Sequence, residues 1–512
     1  MKLTVKELQN KILGCWTGKN IGGALGIACE GMRGQFDFDW YIQPDIYENT
    51  PANDDLDLQL VWMGAVEKHG RKINADILAD YWLSYIGPDW CEYGVAKANL
   101  KAGMFPPITA GVGNSHAESC GAFIRSEIWA CLCPGLPELA TRYAYEDAIV
   151  DHNKNGVYGE LFCAALESAA FVENDKFKLL DIALSYIPKD CEVAKAVNIV
   201  IDGYKNGKSH IDVRKQVMME TPCTFGIKDS TDANTEGFPL DVLGMDAPAN
   251  IAFAIIGLLY GEDDFGKSLC IAVNCGEDSD CSAATLGALL GIMLGYDKLP
   301  EKWLEPIGGK ISTMCIDISK TDFIGKIPAT VGELTERVIR LIPRFLDRND
   351  CDVLAEGGYT VKAADDLYKD YKLNRVKEVG WKHMDEIWDA VKPAPYIYKR
   401  EGVVFTAYVD YMEEPFIRVN EPRKIKVMVE NNYGFAWQPQ WIGLKVYTPD
   451  YVTCTNGNRF GAPLPKFVGT KAEFELEFVA ENIYEERVDI ILDLSIPGRH
   501  TTECIKVTLF AN

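Results

Sequence analysis

The chain has 512 residues, too many for one ordinary hydrophobic core, so two or three domains are expected. A hydrophobic fraction of 47% with 25% charged residues is that of a globular protein. The net charge of −23 disfavours nucleic acid and anionic membranes as partners, and an anionic substrate would have to be met by a local positive centre such as bound metal.

The opening segment, MKLTVKELQNKILGCW, carries charges throughout and has no long apolar stretch, so it does not read as a secretion signal. No run of about twenty apolar residues predicts a membrane-spanning helix. The sixteen cysteines scatter through core-like stretches such as Cys163, Cys270 and Cys315. That pattern predicts free thiols and a cytoplasmic location. Cys131 and Cys133 form a C-x-C with no second matching pair, which argues against a zinc site there.

Residues 1–346 read as an all-α domain. Gly14, Gly18, Gly22 and Gly26 recur every four residues and line one helix face with hydrogen, and Gly287, Gly291 and Gly295 repeat the spacing later. With Lys19 and Asn20 in the first segment, the stripe predicts close helix packing inside a bundle. Helical periodicity also marks Ala75–Tyr85, Gly159–Val172, Phe177–Ile187 and Asn250–Leu259. Thr330–Asp347 is amphipathic, with a stop or kink expected at Pro343. Residues 347–400 read as a connector with some helix, for instance Trp381–Val391. In residues 401–512 the period becomes two: Ile425, Val427 and Val429; Phe474, Leu476 and Phe478; Val488 to Leu494; and Ile505, Val507 and Leu509. With turn signals at Asn456-Gly457 and Pro497-Gly498, this predicts a small antiparallel β-sandwich. Trp437 and Trp441 within it could stack on a sugar, although such residues are more often core or interface aromatics.

Two acidic clusters carry the chemistry. Asn53-Asp54-Asp55 precedes the apolar stretch Leu58–Val66, and Asp278-Ser279-Asp280-Cys281 precedes a helix from Ser282 to about Leu294. Each could be an ordinary helix N-cap. Together, beside glycine stripes that bring helices close, they suit a dinuclear site for a hard cation. Asp57 reads as a solvated or capping acid, and His116, between Asn114 and Glu118, as a substrate contact on a polar loop.

The segment Gly14–Glu30 (GCWTGKNIGGALGIACE) resembles the opening motif of the ADP-ribosylglycohydrolase family. Asn53-Asp54-Asp55-Leu56 resembles its T-D-D-T motif, and Gly276–Ala284 its G-G-D-T-D-T motif with the small-residue helix that follows. The resemblance implies two Mg²⁺ or Mn²⁺ ions held by Asn53, Asp54, Asp55, Asp278, Asp280 and Cys281. It gives catalytic roles to Glu30, Asp54 and Asp55. Ser119–Arg125 (SCGAFIR) is similar to the family's ADP-ribose-contacting loop, with Gly121 and Arg125 as the best-matched positions. Asp151-His152 resembles a T-H pair that follows it, so Gly121, Arg125, His152 and His116 are the expected substrate contacts.

The departures are specific. Cys281 stands in place of a threonine ligand, and a thiol is a poor partner for Mg²⁺. Glu277 replaces a glycine, Gly23 stands where many members have aspartate, and Leu56 removes a hydroxyl. The implied activity is metal-dependent hydrolysis of a glycosidic bond at the anomeric carbon of ADP-ribose or a related ribosyl or nucleotide-sugar compound. A glycosidase of the same fold acting on a non-nucleotide glycoside and a non-catalytic ADP-ribose or sugar binder both stay open. The expected partners are a small-molecule or ADP-ribosylated substrate and, through the β-domain, a second copy of the chain.

Overall fold

The computed structural model describes residues 1–32, 34–43, 45–47, 51–221, 244–317, 326–355, 357–369, 396–402, 404–432, 439–497 and 501–511. The chain divides into two compact units, Met1–Lys369 and Asp370–Asn512.

The described residues of the first unit form α1 (Val5–Gly26), α2 (Asp54–His69), α3 (Ala75–Tyr85), α4 (Cys91–Lys101), α5 (Ile108–Gly111), α6 (Glu127–Leu132), α7 (Pro137–Ala148), α8 (Lys154–Ala170), α9 (Lys176–Leu184) and α10 (Glu192–Lys205). They continue with α11 (His210–Glu220), α12 (Ala247–Tyr260), α13 (Phe265–Asn274), α14 (Ser279–Leu294), α15 (Glu301–Ile307) and α16 (Val331–Phe345). Among these residues no helix is long and apolar enough to cross a membrane.

The glycine stripe sets the central packing. A Cβ added at Gly14, Gly18 or Gly22 would lie 2.3, 2.0 and 2.0 Å from the carbonyl oxygens of Gly291, Gly287 and Ala283. One at Gly26 would lie 2.4 Å from the Cα of Asp280. The pairing therefore runs antiparallel, backbone on backbone, and it delivers the C-terminal end of α1 to the start of α14. An interior glycine costs about 1 kcal/mol of helix propensity relative to alanine, which the close van der Waals contact offsets. Gly295, the last member of the stripe, ends α14 with φ of 76°.

The first unit is not wholly helical. β1 (Lys2–Thr4), β2 (Cys351–Val353) and β3 (Tyr359–Lys362) form an antiparallel sheet in the order β1-β3-β2, with Leu3 and Cys351 both opposite Val361. Residues 347–369, read from the sequence as connector, thus belong to the helical unit. Strands of three or four residues are too short to show a period in the sequence. Thr4 ends β1 and caps α1: its hydroxyl accepts from Glu7 N at 3.3 Å, and Glu7 Oε2 accepts from Thr4 N at 2.8 Å. Pro343 lies inside α16, which runs on to Phe345, so the expected stop falls slightly late. The helix expected at Trp381–Val391 lies outside the described residues.

The second unit contains β4 (Ile397–Glu401), β5 (Phe405–Asp410), β6 (Phe416–Ile417), β7 (Arg423–Asn431), β8 (Gln440–Tyr447), β9 (Val452–Cys454), β10 (Arg459–Leu464), β11 (Lys471–Ala480), β12 (Arg487–Ile496) and β13 (Thr501–Ala511). One five-stranded sheet runs β10-β8-β12-β13-β6 and the other β4-β5-β7-β11-β9. Their alternating apolar residues share one buried cluster, with Ile425, Val427 and Phe474 from one sheet and Ile490, Leu492 and Val507 from the other. Trp441 is exposed, with its indole lying over Gly461 on the paired strand. Trp437 lies outside the described residues.

Candidate active site

The α1–α14 contact places two loops against each other. Beyond Gly26 a short turn, Ile27–Cys29, leads to Glu30. Ser279 Oγ donates to Gly26 O at 2.9 Å, Gly31 N to Glu277 O at 2.9 Å, and Glu277 N to Met32 O at 3.2 Å. The third piece is the start of α2. Asn53 caps it, with Oδ1 accepting from Asp55 N at 2.8 Å, while the Asn53 amide donates to Asp280 Oδ2 at 3.1 Å. Asn250, buried on α12, accepts from Asp278 N at 3.0 Å and fixes the second acidic loop. Asp278 is the N-cap position of α14, so Asp280 lies in the first helical turn rather than before the helix.

Asp55, Asp278 and Asp280 are all buried where these pieces meet. Glu30, Asp278 and Asp280 bring carboxylate oxygens within 4.8 Å of one another, and Asp55 and Asp280 do the same with the Cys281 thiol. Asp55 Oδ2, Asp278 Oδ1 and Asp280 Oδ1 have no hydrogen-bond partner among the described residues. A buried carboxylate oxygen without a partner is costly, and three together call for positive charge. Lys19 is nearby, but its ammonium is 2.7 Å from Glu127 Oε1 and 2.8 Å from Ile124 O. Burial pushes Asp55 and Asp280 well above the usual carboxylate range, and neighbouring acids, Asp278 among them, add to the rise. Burial and then Asp278 raise Asp54 to about 6, and burial, Asp278 and Asp54 raise Glu30 to about 7. The orphaned oxygens and the oxygen-rich donor set fit a divalent cation.

The ADP-ribosylglycohydrolase family model matches residues 4–332. The chain belongs to the ADP-ribosylglycohydrolase family. It is 28% identical over 115 residues to ADP-ribosylarginine hydrolase Tri1 of Serratia proteamaculans, an overlap of 22% of this chain and 29% of that protein. The chain thus spans less than a third of that curated relative. A solved structure described as an ADP-ribosylglycohydrolase-related protein complex is similar to 67% of this chain and 100% of its own, at 18% identity and a TM-score of 0.43.

Within this family frame, the structure places each expected residue. Asn53, Asp54, Asp55, Asp278, Asp280 and Cys281 converge, with Cys281 Sγ 3.5 Å from Asp55 Oδ1 and the Tyr93 hydroxyl 3.4 Å from Asp54 Oδ2. Glu30 stands at the exposed rim. Two departures from the family pattern share one space: a Cβ at Gly23 would lie 2.9 Å from Asn53 Nδ2, so an aspartate there would displace the amide that reaches Asp280. Glu277 is buried, held at φ of 63°, and its carboxylate lies 3.9 Å from Arg214. Asp57 is neither solvated nor a cap. It is fully buried and accepts from Met314 N and Cys315 N at 2.7 and 2.6 Å, tying that loop to α2.

The expected substrate contacts fare differently. Arg125 is fully buried: its Nε is 2.8 Å from Asp147, its two terminal nitrogens are 3.1 and 2.6 Å from the oxygens of Asp151, and one of them donates to Gly121 O at 2.7 Å. It offers nothing to a substrate. His152 is also fully buried, 2.8 Å from Asp151 and 3.1 Å from Ser119 Oγ. Gly121 makes room for Glu92, whose Oε1 would be 2.1 Å from an added Cβ. His116 is half-buried and groups with Cys91 and Glu92. Cys120, Lys19, Glu127 and Asn250 belong to the site's surroundings and escape the sequence reading. A lysine inside a glycine-striped apolar helix was the one visible signal.

Proposed function

We propose that this chain is a divalent-cation-dependent glycohydrolase that cleaves the glycosidic bond at the anomeric carbon of ADP-ribose or a related ribosyl compound. The observation that carries the reading is the set of three buried, unpartnered carboxylate oxygens on Asp55, Asp278 and Asp280. With Asp54, Asn53 and Cys281 alongside, these residues would hold Mg²⁺ or Mn²⁺, with two ions expected. Bound cations supply Lewis-acid charge that polarises the oxygens around them. Glu30, at the rim and raised to about 7, holds or accepts a proton at its carboxyl near neutral pH, as general acid–base work on a glycosidic oxygen requires. Asp54 is oriented by the Tyr93 hydroxyl and is the second candidate for that proton. The described cysteines are all free, which supports a reducing, cytoplasmic setting.

One observation favours a second reading, a glycosidase acting on a non-nucleotide sugar. Arg125, which could have met a pyrophosphate, is withdrawn into the core. The test is turnover of the purified chain with Mg²⁺ or Mn²⁺ on ADP-ribosylated arginine, ADP-ribosylated serine and simple glycosides, following released sugar. Cation-dependent release of ADP-ribose supports the first reading. Release from plain glycosides alone moves the chain to the second. Ligand binding without turnover or cation would leave a non-catalytic binder.

A further inference from the structure

Cys281 is not alone among the acidic groups. Cys120, on the loop before Phe123, brings its thiol within 4.8 Å of both the Cys281 thiol and a carboxylate oxygen of Asp278. Cys281 stands in the same relation to Asp55 and Asp280. All five side chains are buried. Two thiols far apart in sequence, one on a loop and one in the first turn of α14, therefore meet at carboxylates that each have one oxygen without a partner among the described residues. Isolated buried cysteines pack as small hydrophobes, but apolar packing does not account for thiols facing carboxyl groups.

The backbone fixes the pairing. Cys120 N donates to Met245 O at 2.9 Å, and Ser119 and Asp246 form a bridge, so the loop is tied to the start of α12. The same helix carries Asn250, which holds Asp278. Cys120 and Asp278 are thus positioned by one element, and Cys281 lies in the first turn of α14.

Resting on the cation-site reading above, we propose that Cys120, Cys281 and Asp278, with Asp55 or Asp280, form a cation position that selects a thiophilic divalent ion such as Zn²⁺ over Mg²⁺. Two sulfur and two oxygen donors suit a four-coordinate ion of borderline softness, whereas Mg²⁺ demands oxygen throughout. On binding, each coordinating thiol releases its proton to solvent. The centre then joins an oxygen-rich side at Glu30, Asp54 and Asp280 to a sulfur-bearing side at Cys120 and Cys281.

The experiment uses Co²⁺ as the probe on the reduced full-length protein, reading thiolate-to-cobalt charge-transfer absorption in the near ultraviolet. The band is expected in the unaltered chain, should disappear with Zn²⁺ and should withstand a large excess of Mg²⁺. It should be lost in Cys281→Ser, be weakened in Cys120→Ala and persist in Cys91→Ser. Cys281→Thr, which restores an oxygen donor, is expected to weaken Zn²⁺ binding roughly ten- to a hundredfold while keeping Mn²⁺ binding, which also shows that the variant is folded. Co²⁺ binding without the band, or a band unchanged in Cys281→Ser, overturns the inference. If Mn²⁺ still binds in that case and Asp55→Asn abolishes it, the cation-site reading survives alone. If no divalent ion binds, both fall.

Discussion

Two of the buried charge clusters among the described residues of the helical unit are built on opposite principles. Around Arg125 the charges are matched: the guanidinium engages Asp147 and Asp151, Asp151 also faces His152, and Trp129 Nε1 donates to Asp147 at 2.9 Å. Glu160 beside them is pushed well up by burial and by Asp147, and its two carboxylate oxygens also lack a hydrogen-bond partner among the described residues, but here a guanidinium stands within the cluster. Around Asp278 the carboxylates face one another, and three of their oxygens are left without a partner. A matched cluster rigidifies the fold, and an unmatched one persists only where something else supplies the missing charge. This contrast separates the strut from the site, although both were read from the sequence as functional.

The comparison breaks most sharply at the unmatched cluster. Asp278→Ala is expected to lower turnover roughly a thousandfold or more, in line with the several kcal/mol a Lewis-acid centre provides, and to weaken Mn²⁺ binding. The metal-free variant should melt no lower than the metal-free parent, because it loses repulsion rather than a contact. Full activity would refute the site assignment. Arg125→Leu should do the reverse and destabilise the chain by about 3–5 kcal/mol in denaturant unfolding, since it strands two buried carboxylates. A small effect would mean that the arginine is not the strut described.

Gly22→Ala tests what joins the clusters' framework together. An added methyl would meet the Ala283 carbonyl oxygen at 2.0 Å, which only backbone movement relieves. The expected cost is about 1–3 kcal/mol of stability together with weaker Mn²⁺ binding, because α1 and α14 carry opposite walls of the site. A loss of stability with unchanged binding would show that the loops are positioned independently of the helices.

The gentlest probe is pH. A cation binds the ionised carboxylates, so protons compete with it. Affinity should fall as the pH drops through the range in which these raised carboxyls take up protons, Glu30 at about 7 and Asp54 at about 6 among them. Calorimetric Mn²⁺ titrations across this range would show it, and a pH-independent affinity would count against direct binding by these groups.

Much of this was legible along the chain. The four-residue glycine spacing fixes the α1–α14 contact because only hydrogen fits there, α3 has the bounds its periodicity predicts, and the two-residue period gives both sheets. The acidic motifs also meet as their resemblance implies. What was not legible depends on partners remote in sequence. An aspartate in the first turn of α2 reads as a cap, and nothing local shows that the amides at 314 and 315 turn toward Asp57. Resemblance to the family's ADP-ribose-contacting loop makes Arg125 an expected substrate contact, and only Asp147 and Asp151, on and just beyond α7, show it turned inward. Cys120 lay within a segment already singled out, yet spacing could not show which thiol it faces.

The small sheet makes the helical unit a closed circuit. β1 begins at Lys2 and is paired by β3, which ends at Lys362, and Ala363 N donates to Met1 O at 2.9 Å. The family match stops at residue 332, within the first turn of α16. A fragment trimmed to that match would lose nearly all of the last helix and, except for Thr4, the whole three-stranded sheet, leaving the leading edge of α1 uncovered. The helical unit is thus longer than its family match, and its natural cut point lies beyond the strand that pairs with β1.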